Sequence, residues 1–326
     1  MVNIKTIGIL TSGGDSPGMN AAIRAVVRTS IYYGREIYGI RNGFRGLLED
    51  NIEIMNSQSV SNIIHTGGTI LKTARCDEFK TEEGRKKAYD NLKKHGIDAL
   101  VVIGGDGSFA GAELFCNEFQ VPVVGIPATI DNDIRGTDYT IGYDTALNTV
   151  VQAVDKIRDT ASAHNRLFFI EVMGRQSGFL ALNGGLATGA EAILVPEIED
   201  DYDKLMEYLG DETLKHKKSS MVLVAEGDQA GGAFSISQKV KEKFPHYSVR
   251  VTILGHLQRG GSPSAIDRIN AGRLGVSAVE ALLAGERDIM VGIRNSKIIY
   301  NSFALSKHDL RKLDSKMLDM INMLAV

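Results

Sequence analysis

The chain has 326 residues, of which 43% are hydrophobic and 24% are charged, a composition typical of folded globular proteins and not of disordered chains. Its 37 basic and 40 acidic side chains leave a formal net charge of −3, so composition does not support non-specific nucleic-acid binding. Two cysteines, Cys76 and Cys116, have no paired spacing, which argues against a disulfide scaffold or a zinc site.

Neither a leader nor a membrane anchor is predicted. The opening residues, MVNIKTIGIL, pass directly into a strand pattern without a basic and apolar leader. No apolar run approaches the roughly 18 residues that a membrane span requires. Together with the two unpaired cysteines, these features predict a protein of the cytoplasm, which is a reducing compartment.

Short apolar runs alternate with helical periodicity along most of the chain. After the first strand candidate, TIGILTS, one helical face is apolar at Met19, Ala22, Ile23, Val26, Val27 and Ile31. IDALVVIGG and VPVVGIP are strand candidates on either side of the helical segment SFAGAELFCNEF. A second helical stripe is formed by Leu147, Val150, Val151, Val154 and Ile157. Four more strand candidates follow: RLFFIEVMG, AILVPE, SMVLVAEG and VRVTILGH.

Continuous apolar strands separated by helices predict α/β architecture, with largely parallel sheets covered by helices on both faces. Because the strands are too many for one compact sheet, we expect two doubly wound lobes with a boundary near residues 139–145. Ligands of such sheets bind beyond the carboxyl ends of the strands, so the turns there are where a site is expected. A packing helix is predicted at the C-terminus from Leu310, Leu313, Met317, Ile321 and Leu324.

Two glycine-rich turns precede predicted helices. In TSGGDSPGMN, Gly13 and Gly14 leave backbone N–H groups and a positive helix end open to an anion, although an ordinary tight turn has the same pattern. GGDGS has the same arrangement with Asp106 inside it. A carboxylate there suits a divalent cation that bridges to phosphate oxygens. The alternative is that Asp106 only caps a helix beginning near Ser108.

Basic and acidic turns complete the pattern. The basic turns carry Arg166, Arg175, Arg250, His256 and Arg259. Guanidinium groups at strand ends suit bidentate phosphate binding, which indicates an anionic substrate. In the acidic turn PATIDND, Asp131 can take a proton from an acceptor hydroxyl during phosphoryl transfer, and Thr129 can hold the same substrate. The alternative is that this turn is merely solvated.

Two other classes of function are open at this point. GDGSFA fits the loose G-x-G-x-x-G/A pattern, with Asp131 roughly where a ribose-binding acid could fall, which would indicate a nicotinamide-dependent dehydrogenase. A non-catalytic metabolite sensor would be expected to have lost Asp131 or Asp106, and both are present. Phosphoryl transfer accounts for the two glycine turns and the basic turns together.

Five motifs occur in order over nearly the whole chain: LTSGGDSPGMNAAIR, VVIGGDGS, PATIDNDIRGTDYTIG, EVMGR and LGHLQRGGSP. This set resembles the bacterial-type ATP-dependent 6-phosphofructokinases. The resemblance implies a homotetrameric kinase that moves the γ-phosphoryl group of MgATP to the 1-hydroxyl of fructose 6-phosphate, in glycolysis. It also implies a larger nucleotide-binding lobe at residues 1–141 and 257–307, and a smaller sugar-phosphate-binding lobe at residues 142–256 and 308–326.

The resemblance implies roles for individual residues. Asp131 would be the general base, with Thr129, Asp133 and Arg75 as further catalytic residues. The ATP set would be Gly14, Arg75, Cys76, Gly105, Asp106, Gly107 and Ser108, with Asp106 also associated with Mg²⁺. The sugar-phosphate set would be Thr129, Ile130, Asp131, Arg166, Met173, Gly174, Arg175, Glu226, Arg250, His256, Leu257, Gln258 and Arg259. Of these, Arg166 and Arg250 would reach in from a neighbouring subunit.

Two positions bear on the phosphoryl donor. Members of the family that use pyrophosphate tend to carry aspartate at the position of Gly107 and lysine at that of Ala128. Neither is present, so the resemblance implies ATP. Most ATP-type members have glycine at the second position, from which Ala128 departs by one methyl group.

An effector site for ADP and phosphoenolpyruvate is also implied, at Arg24, Arg28, Arg158, Gly189, Ala190, the metal-associated Glu191, Lys215 and Lys217. Arg24 and Arg28 lie four residues apart on the first helix, where like charges are mildly unfavourable without an anion between them. Ser57 and Ser219 stand where many regulated members have arginine and histidine. We therefore expect a weakened or altered allosteric response.

Overall fold

The computed structural model describes residues 4–162, 166–211, 220–308 and 311–324. Two units make up the chain: Met1–Thr145 with Arg259–Arg311, and Ala146–Gln258 with Lys312–Val326. Each unit has its own sheet and its own helices, and pairing is parallel through most of both sheets. The predicted α/β class with largely parallel sheets is therefore confirmed.

The strands are numbered along the chain. The first unit has β1 (Thr6–Thr11), β2 (Glu36–Ile40), β3 (Ile52–Ile54), β4 (Ala99–Gly104), β5 (Val123–Pro127), β10 (Ile289–Arg294) and β11 (Lys297–Ser302), in the spatial order β11-β10-β5-β4-β1-β2-β3. The second unit has β6 (Arg166–Val172), β7 (Ala192–Leu194), β8 (Ser220–Ala225) and β9 (Ser248–Ile253), in the order β7-β8-β6-β9.

The helices are numbered in the same way. The first unit has α1 (Met19–Tyr32), α2 (Gly43–Leu48), α3 (Glu82–Lys94), α4 (Asp106–Phe119), α9 (Ala265–Ala284) and α10 (Phe303–His308). The second has most of α5 (Tyr143–Ser162), and all of α6 (Phe179–Thr188), α7 (Asp201–Gly210), α8 (Ala233–Lys243) and α11 (Ser315–Leu324). Short 3₁₀ helices lie at Glu78–Lys80 and Gly255–Arg259.

Burial on both faces explains the continuous apolar strands of the first unit. On β4, Val101 and Ile103 pack in a core with α1 and α9, while Leu100 and Val102 point into a second core with α2, α3, α4 and α10. Successive side chains of a strand point to opposite faces. A strand buried on both faces is therefore apolar along its whole length and does not alternate between apolar and polar residues. Packing on both faces therefore fixes the positions of β1, β4 and β5, and of the turns that follow them, within the first unit.

Both edges of the first sheet are antiparallel, which the sequence analysis did not predict. β3 pairs antiparallel with β2, and β11 pairs antiparallel with β10. The β10–β11 hairpin turns at Asn295 and Ser296, whose φ angles are +48° and +62°. Two consecutive residues with positive φ are the geometry of a type I′ hairpin turn, whose twist matches the strands it joins.

The second unit is also covered on both faces of its sheet. The core with α7 and α8 contains Leu205, Met206, Ile236 and Val240. On α6, a Cβ added at Gly184 would come within 2.9 Å of Val150 and 3.1 Å of Leu223, so only a glycine allows this close approach of α6 to α5 and β8.

Two of the predicted helical stripes extend too far. On α1, Met19, Ala22, Ile23, Val26 and Val27 are buried as predicted, but Ile31 is 41% exposed because the last turn of the helix lies at the surface. At the C-terminus, α11 begins only at Ser315, and Ile321 is buried whereas Leu324 is 67% exposed. The predicted Leu310 lies outside the described residues.

A buried carboxyl group begins α7. Asp201 is 8% exposed, and its Oδ2 accepts a hydrogen bond from the backbone N–H of Val195 at 2.7 Å. Burial, and to a smaller extent the charge of Asp228, raises the pKa of Asp201 to about 7. Because the folded state favours the protonated form, stability is fully present below the ordinary value of 3.8 and falls as the pH rises through 7.

We predict that Asp201→Asn removes part of this pH dependence. The amide keeps an oxygen for Val195 N–H but has no proton to lose, so the urea midpoint should fall less between pH 5 and 8 than in the parent. One unit of pKa shift corresponds to about 1.4 kcal/mol. Asp200→Asn is the control, because Lys204 lowers the pKa of this exposed neighbour, whose titration then lies below the range tested. Equal slopes in the parent and Asp201→Asn would contradict the prediction.

Candidate active site

A cleft of about 600 Å³ lies in the first unit, beyond the carboxyl ends of β1, β4 and β5. These strands are parallel neighbours, so the turns that follow them meet at one edge of the sheet. Predicted site residues line this cleft together: Gly14, Arg75, Cys76, Gly105, Asp106, Gly107, Ser108, Thr129, Asp131 and Arg259. Ile130 and Asp133 lie in the same turn without lining the cleft.

The turn after β4 leads directly into α4. Gly105 is the N-cap and carries no side chain to cap the helix, so the first backbone N–H groups of α4 are open towards a ligand. A Cβ added at Gly107 would meet no atom within 4 Å, whereas one added at Gly104 would lie 2.5 Å from Ser108 Oγ. The turn is therefore packed tightly on the strand side and open on the cleft side.

Asp106 is the first residue of α4 and is exposed to the cleft. The helix begins at Asp106 and not near Ser108, so the interpretation of Asp106 as a cap is wrong. Within the parts of the chain that the structure describes, its carboxylate has no hydrogen-bond or ion-pair partner, and no group of three or more His, Cys, Asp or Glu side chains could hold a metal ion. At a helix N-terminus, a carboxylate is favourably placed.

Three cationic side chains line the same cleft: Arg75, Lys80 and Arg259. Arg259 lies over the turn after β1, where its Nη1 donates to the carbonyl oxygen of Asp15 at 3.2 Å. A Cβ added at Gly14 would be 2.6 Å from that nitrogen, so a glycine is needed for the guanidinium to approach. The Lys80 ammonium is paired with Asp77 at 2.7 Å, so Arg75 and Arg259 form the basic wall of a cleft that Asp77, Asp106 and Asp131 also line.

An aromatic pair forms the apolar wall of the cleft. The rings of Phe44 and Phe79 are stacked, with centroids 4.1 Å apart and planes at 19°. Gly111 on α4 faces them, since a Cβ there would lie 3.3 Å from Phe44. Phe44, Phe79 and Lys80 were not predicted from the sequence. The available signal was weak: Phe44 directly follows Asn42–Gly43, a dipeptide typical of turns.

A buried ion pair fixes this wall. Arg85 on α3 is 6% exposed and donates from Nε and Nη2 to the two carboxylate oxygens of Glu118 on α4, at 2.6 and 2.5 Å. Its Nη1 donates to the carbonyl oxygens of Phe79 and Lys80, at 3.1 and 2.7 Å. One guanidinium therefore holds the backbone of two cleft residues against α4.

The acidic turn after β5 is not a solvated turn, so that alternative is wrong. Ile130, Asn132 and Ile134 are buried, while Asp131 and Asp133 are half-buried. The backbone N–H of Asp131 donates to Thr129 Oγ1 at 3.3 Å, and the carbonyl oxygen of Asp133 accepts from Arg311 N–H at 2.9 Å. The turn is thus held internally, with Asp131 presented to the cleft.

Other predicted substrate residues meet at the carboxyl edge of the second unit's sheet. Met173, Gly174 and Arg175 follow β6, Glu226 follows β8, and His256, Leu257 and Gln258 follow β9. Gln258 is fully buried and its Oε1 accepts from Met173 N–H at 3.2 Å, which ties two of these turns together. Gly227 packs against the backbone of Arg175, where a Cβ would lie 1.9 Å from its carbonyl oxygen.

Arg166 and Arg250 do not lie at that edge. Arg166 is the first residue of β6, and Arg250 pairs with Phe168 inside β9, so the expectation that Arg250 follows a strand is wrong. From Arg166 to Val172 the strand covers about 20 Å, at about 3.3 Å per residue. Within the second unit, Arg166 therefore lies at the opposite end of β6 from Arg175, and Arg250 lies inside β9 and not beyond its end, as His256 does.

The predicted effector residues fall in both units. Arg24 and Arg28 lie on α1 of the first. In the second, Arg158 Nη2 donates to the carbonyl oxygens of Thr188 and Gly189, at 2.6 and 3.0 Å, and Glu191 Oε2 accepts from Met221 N–H at 2.6 Å. Ala190, next to them, is buried. Lys215, Lys217 and Ser219 lie outside the described residues.

Among the described residues, no helix is both long and apolar enough to cross a membrane.

Comparison with known proteins identifies the family of the chain. The phosphofructokinase family model matches residues 6–282. The chain is 60% identical over 304 residues to ATP-dependent 6-phosphofructokinase 2 of Bacteroides thetaiotaomicron, which is 93% of each chain.

Two solved structures have the same fold. Phosphofructokinase from Saccharomyces cerevisiae aligns with a TM-score of 0.85 at 40% identity, over 93% of this chain and 45% of the yeast chain, so this chain spans less than half the length of that one. A pyrophosphate-dependent phosphofructokinase from Marinobacter aquaeolei aligns with a TM-score of 0.83 at 23% identity, over 98% of this chain and 91% of that one. These matches confirm the resemblance seen in the five motifs: the chain belongs to the phosphofructokinase family.

Proposed function

We propose that the chain is an ATP-dependent 6-phosphofructokinase, a transferase of glycolysis. It moves the γ-phosphoryl group of ATP to the 1-hydroxyl of fructose 6-phosphate, giving fructose 1,6-bisphosphate and ADP. The observation that carries this proposal is the cleft, which joins an open helix N-terminus, a basic wall and the Asp131 turn at one sheet edge. The name and the 60% identity of the Bacteroides relative support it. Family membership leaves the dehydrogenase interpretation without support.

In this proposal, ATP occupies the cleft of the first unit. The base packs at the apolar wall of Phe44 and Phe79, and the phosphates lie along the glycine turns at the N-terminus of α4. Gly14, Gly105 and Ser108 form the phosphate side, and Cys76 forms part of the wall. Arg75 neutralises the charge that develops on the transferring phosphoryl group.

We propose that the nucleotide is bound as its Mg²⁺ complex. Mg²⁺ takes one or two carboxylates together with phosphate oxygens and water, and Asp106 supplies one carboxylate in the cleft beside the phosphate side. When bound, the ion would neutralise phosphate charge. The residues present fit that role, since Asp106 is exposed to the cleft at a helix N-terminus.

Asp131 is the proposed base for the sugar hydroxyl. Its carboxylate accepts the proton of the 1-hydroxyl as that oxygen attacks phosphorus, and Thr129 and Asp133 complete the turn that presents it. Phosphoryl transfer depends mainly on positioning and charge neutralisation, which the turn and the basic wall supply. Ile130, which lies between Thr129 and Asp131 in the chain, is buried and holds the turn in the core.

The sugar phosphate is assigned to the carboxyl edge of the second unit's sheet, with Arg175 as a cationic contact, His256 as a further contact and Glu226 for hydroxyl groups. Arg166 and Arg250 lie towards the other end of β6 and β9. We therefore assign them to the site of a neighbouring subunit in a homotetramer. The cytoplasmic location and the effector response stay predictions of the sequence.

The choice of donor can be tested at Gly107. In a coupled assay with fructose 6-phosphate and Mg²⁺, we expect turnover with ATP and none with pyrophosphate. Gly107→Asp should raise the KM for ATP at least about tenfold, a change that corresponds to about 1.4 kcal/mol, because the new carboxylate would project into the open cleft and repel the phosphates. Gly272→Asp, on α9 and also facing open space, is the control. Faster turnover with pyrophosphate than with ATP would contradict the assignment.

The base is tested by Asp131→Asn. Loss of the proton acceptor should lower kcat by roughly 10²–10⁴-fold, with little change in either KM. Asp90→Asn is the control, because this exposed carboxylate on α3 pairs with Lys86 and does not line the cleft. Near-parental turnover by Asp131→Asn would show that another group takes the proton.

The effector response is tested at Ser57, which is exposed. We expect weak inhibition by phosphoenolpyruvate in the parent, since each missing cationic donor costs about 1–3 kcal/mol of anion binding. Ser57→Arg should lower the half-inhibitory concentration about tenfold, and Ser61→Arg in the same turn should not. Strong cooperative inhibition of the parent at ordinary concentrations would show the expectation to be wrong.

A further inference from the structure

Asn132 stands between the two half-buried aspartates of the acidic turn and is itself only 3% exposed. Its φ is +51°, in the left-handed region, where asparagine is tolerated better than most residues. It does not line the cleft. A buried polar side chain held in this conformation, next to the proposed base, acts on its neighbours and not on a ligand.

The turn after β5 continues to Thr140, and its two limbs are residues 129–132 and residues 138–140. The Asn132 amide joins these two limbs. Its Oδ1 accepts from the backbone N–H of Thr140 at 2.9 Å, and its Nδ2 donates to the carbonyl oxygen of Asp138 at 3.2 Å. The Thr140 hydroxyl in turn donates to the carbonyl oxygen of Thr129 at 2.6 Å. Both ends of the segment from Thr129 to Asn132 are therefore tied to the limb at 138–140.

That second limb is anchored outside the turn. Asp138 N–H donates to the carbonyl oxygen of Ile293 on β10 at 2.7 Å, and Asp138 Oδ2 accepts from Asn295 N–H at 2.8 Å. The carbonyl oxygen of Asp138 also accepts from Arg311 Nη1 at 2.6 Å. The limb is thus fixed to the sheet, and Asn132 transmits that rigidity to the residues that face the cleft.

We propose that Asn132 is a positioning residue for phosphoryl transfer. It holds the Asp131 carboxylate and the Thr129 hydroxyl in the direction that the acceptor hydroxyl requires, without touching either substrate. This inference rests on the proposed function of Asp131 as base. A displacement of about 1 Å at a reacting group can cost about 10²-fold in rate, so the loss of this tie should be visible in kcat.

Asn132→Gly is the direct test, because glycine accepts the left-handed φ and its missing side chain removes both amide hydrogen bonds. We expect kcat to fall about 10–100-fold, while both KM values stay within about threefold. The matched control is Ser30→Ala on α1. Ser30 is fully buried and its hydroxyl donates to the carbonyl oxygen of Val26 at 2.9 Å, so the variant also removes a buried side-chain hydrogen bond, but outside the turn that carries Asp131. Its kcat should stay within about threefold of the parent.

A double mutant separates positioning from general loss of structure. If Asn132 acts through the base, Asn132→Gly should cause no further fall in kcat when Asp131→Asn is already present. Independent effects that multiply in the double mutant would overturn the proposal, as would a parental kcat for Asn132→Gly. If Asp131→Asn itself turns over at the parental rate, the proposed function of Asp131 fails. Impairment of Asp131→Asn with a parental Asn132→Gly overturns the positioning role alone.

Two further variants keep the test decisive if Asn132→Gly does not fold. Asn132→Asp keeps the shape and the oxygen that faces Thr140, but places a second oxygen against the Asp138 carbonyl. Thr140→Val removes the donor to Thr129. Both should lower kcat at least about tenfold with KM values within about threefold, in folded protein with a measured thermal midpoint. Parental kcat in both would overturn the proposal.

Discussion

Parallel hydrogen bonding between β1, β4 and β5 brings the two glycine turns and the acidic turn of the cleft to one edge of the sheet. Because these strands run in register and in the same direction, the turns after Thr11, Gly104 and Pro127 end at one edge. Each strand is buried on both faces, so the strands cannot shift without exposing apolar side chains. Three segments that are far apart in the chain thereby form one cleft, and the helix that begins at Asp106 points its N-terminus into it.

The crowding of aspartates in the acidic turn has a physical explanation in the groups around them. Asn132 separates Asp131 from Asp133 and is neutral, buried and satisfied at both ends of its amide. Arg311 bonds the carbonyl oxygens of Asp133 and Asp138, which brings a positive charge to the back of the turn. One carboxylate can therefore line the cleft together with Arg75 and Arg259 while the turn behind it stays rigid, which is the arrangement that proton transfer to a fixed base requires.

Much of this could be predicted from the sequence, because the strong signals were local. Runs such as ALVVIG indicate strands buried on both faces, and glycines before Asp106 indicate an open helix N-terminus. The features that could not be predicted depend on contacts that the local sequence pattern does not reveal. Arg85 and Glu118 are 33 residues apart, the Phe44–Phe79 stack joins α2 to the 3₁₀ helix at Glu78–Lys80, and the Asn132–Thr140 bond depends on how the turn closes. Ile31 fits the apolar periodicity of α1, but it is exposed because the core ends before the last turn of the helix, which the sequence pattern does not reveal.

The central claim is that Asp131 deprotonates the sugar hydroxyl beside a nucleotide held in the first unit's cleft. A crystal structure of the protein with a non-hydrolysable ATP analogue, Mg²⁺ and fructose 6-phosphate tests this most directly. The account predicts a carboxylate oxygen of Asp131 within hydrogen-bond reach of the 1-hydroxyl oxygen, about 2.6–3.2 Å, in line with the terminal phosphate. Nucleotide bound elsewhere, or a separation of more than about 5 Å without a bridging water, would contradict it.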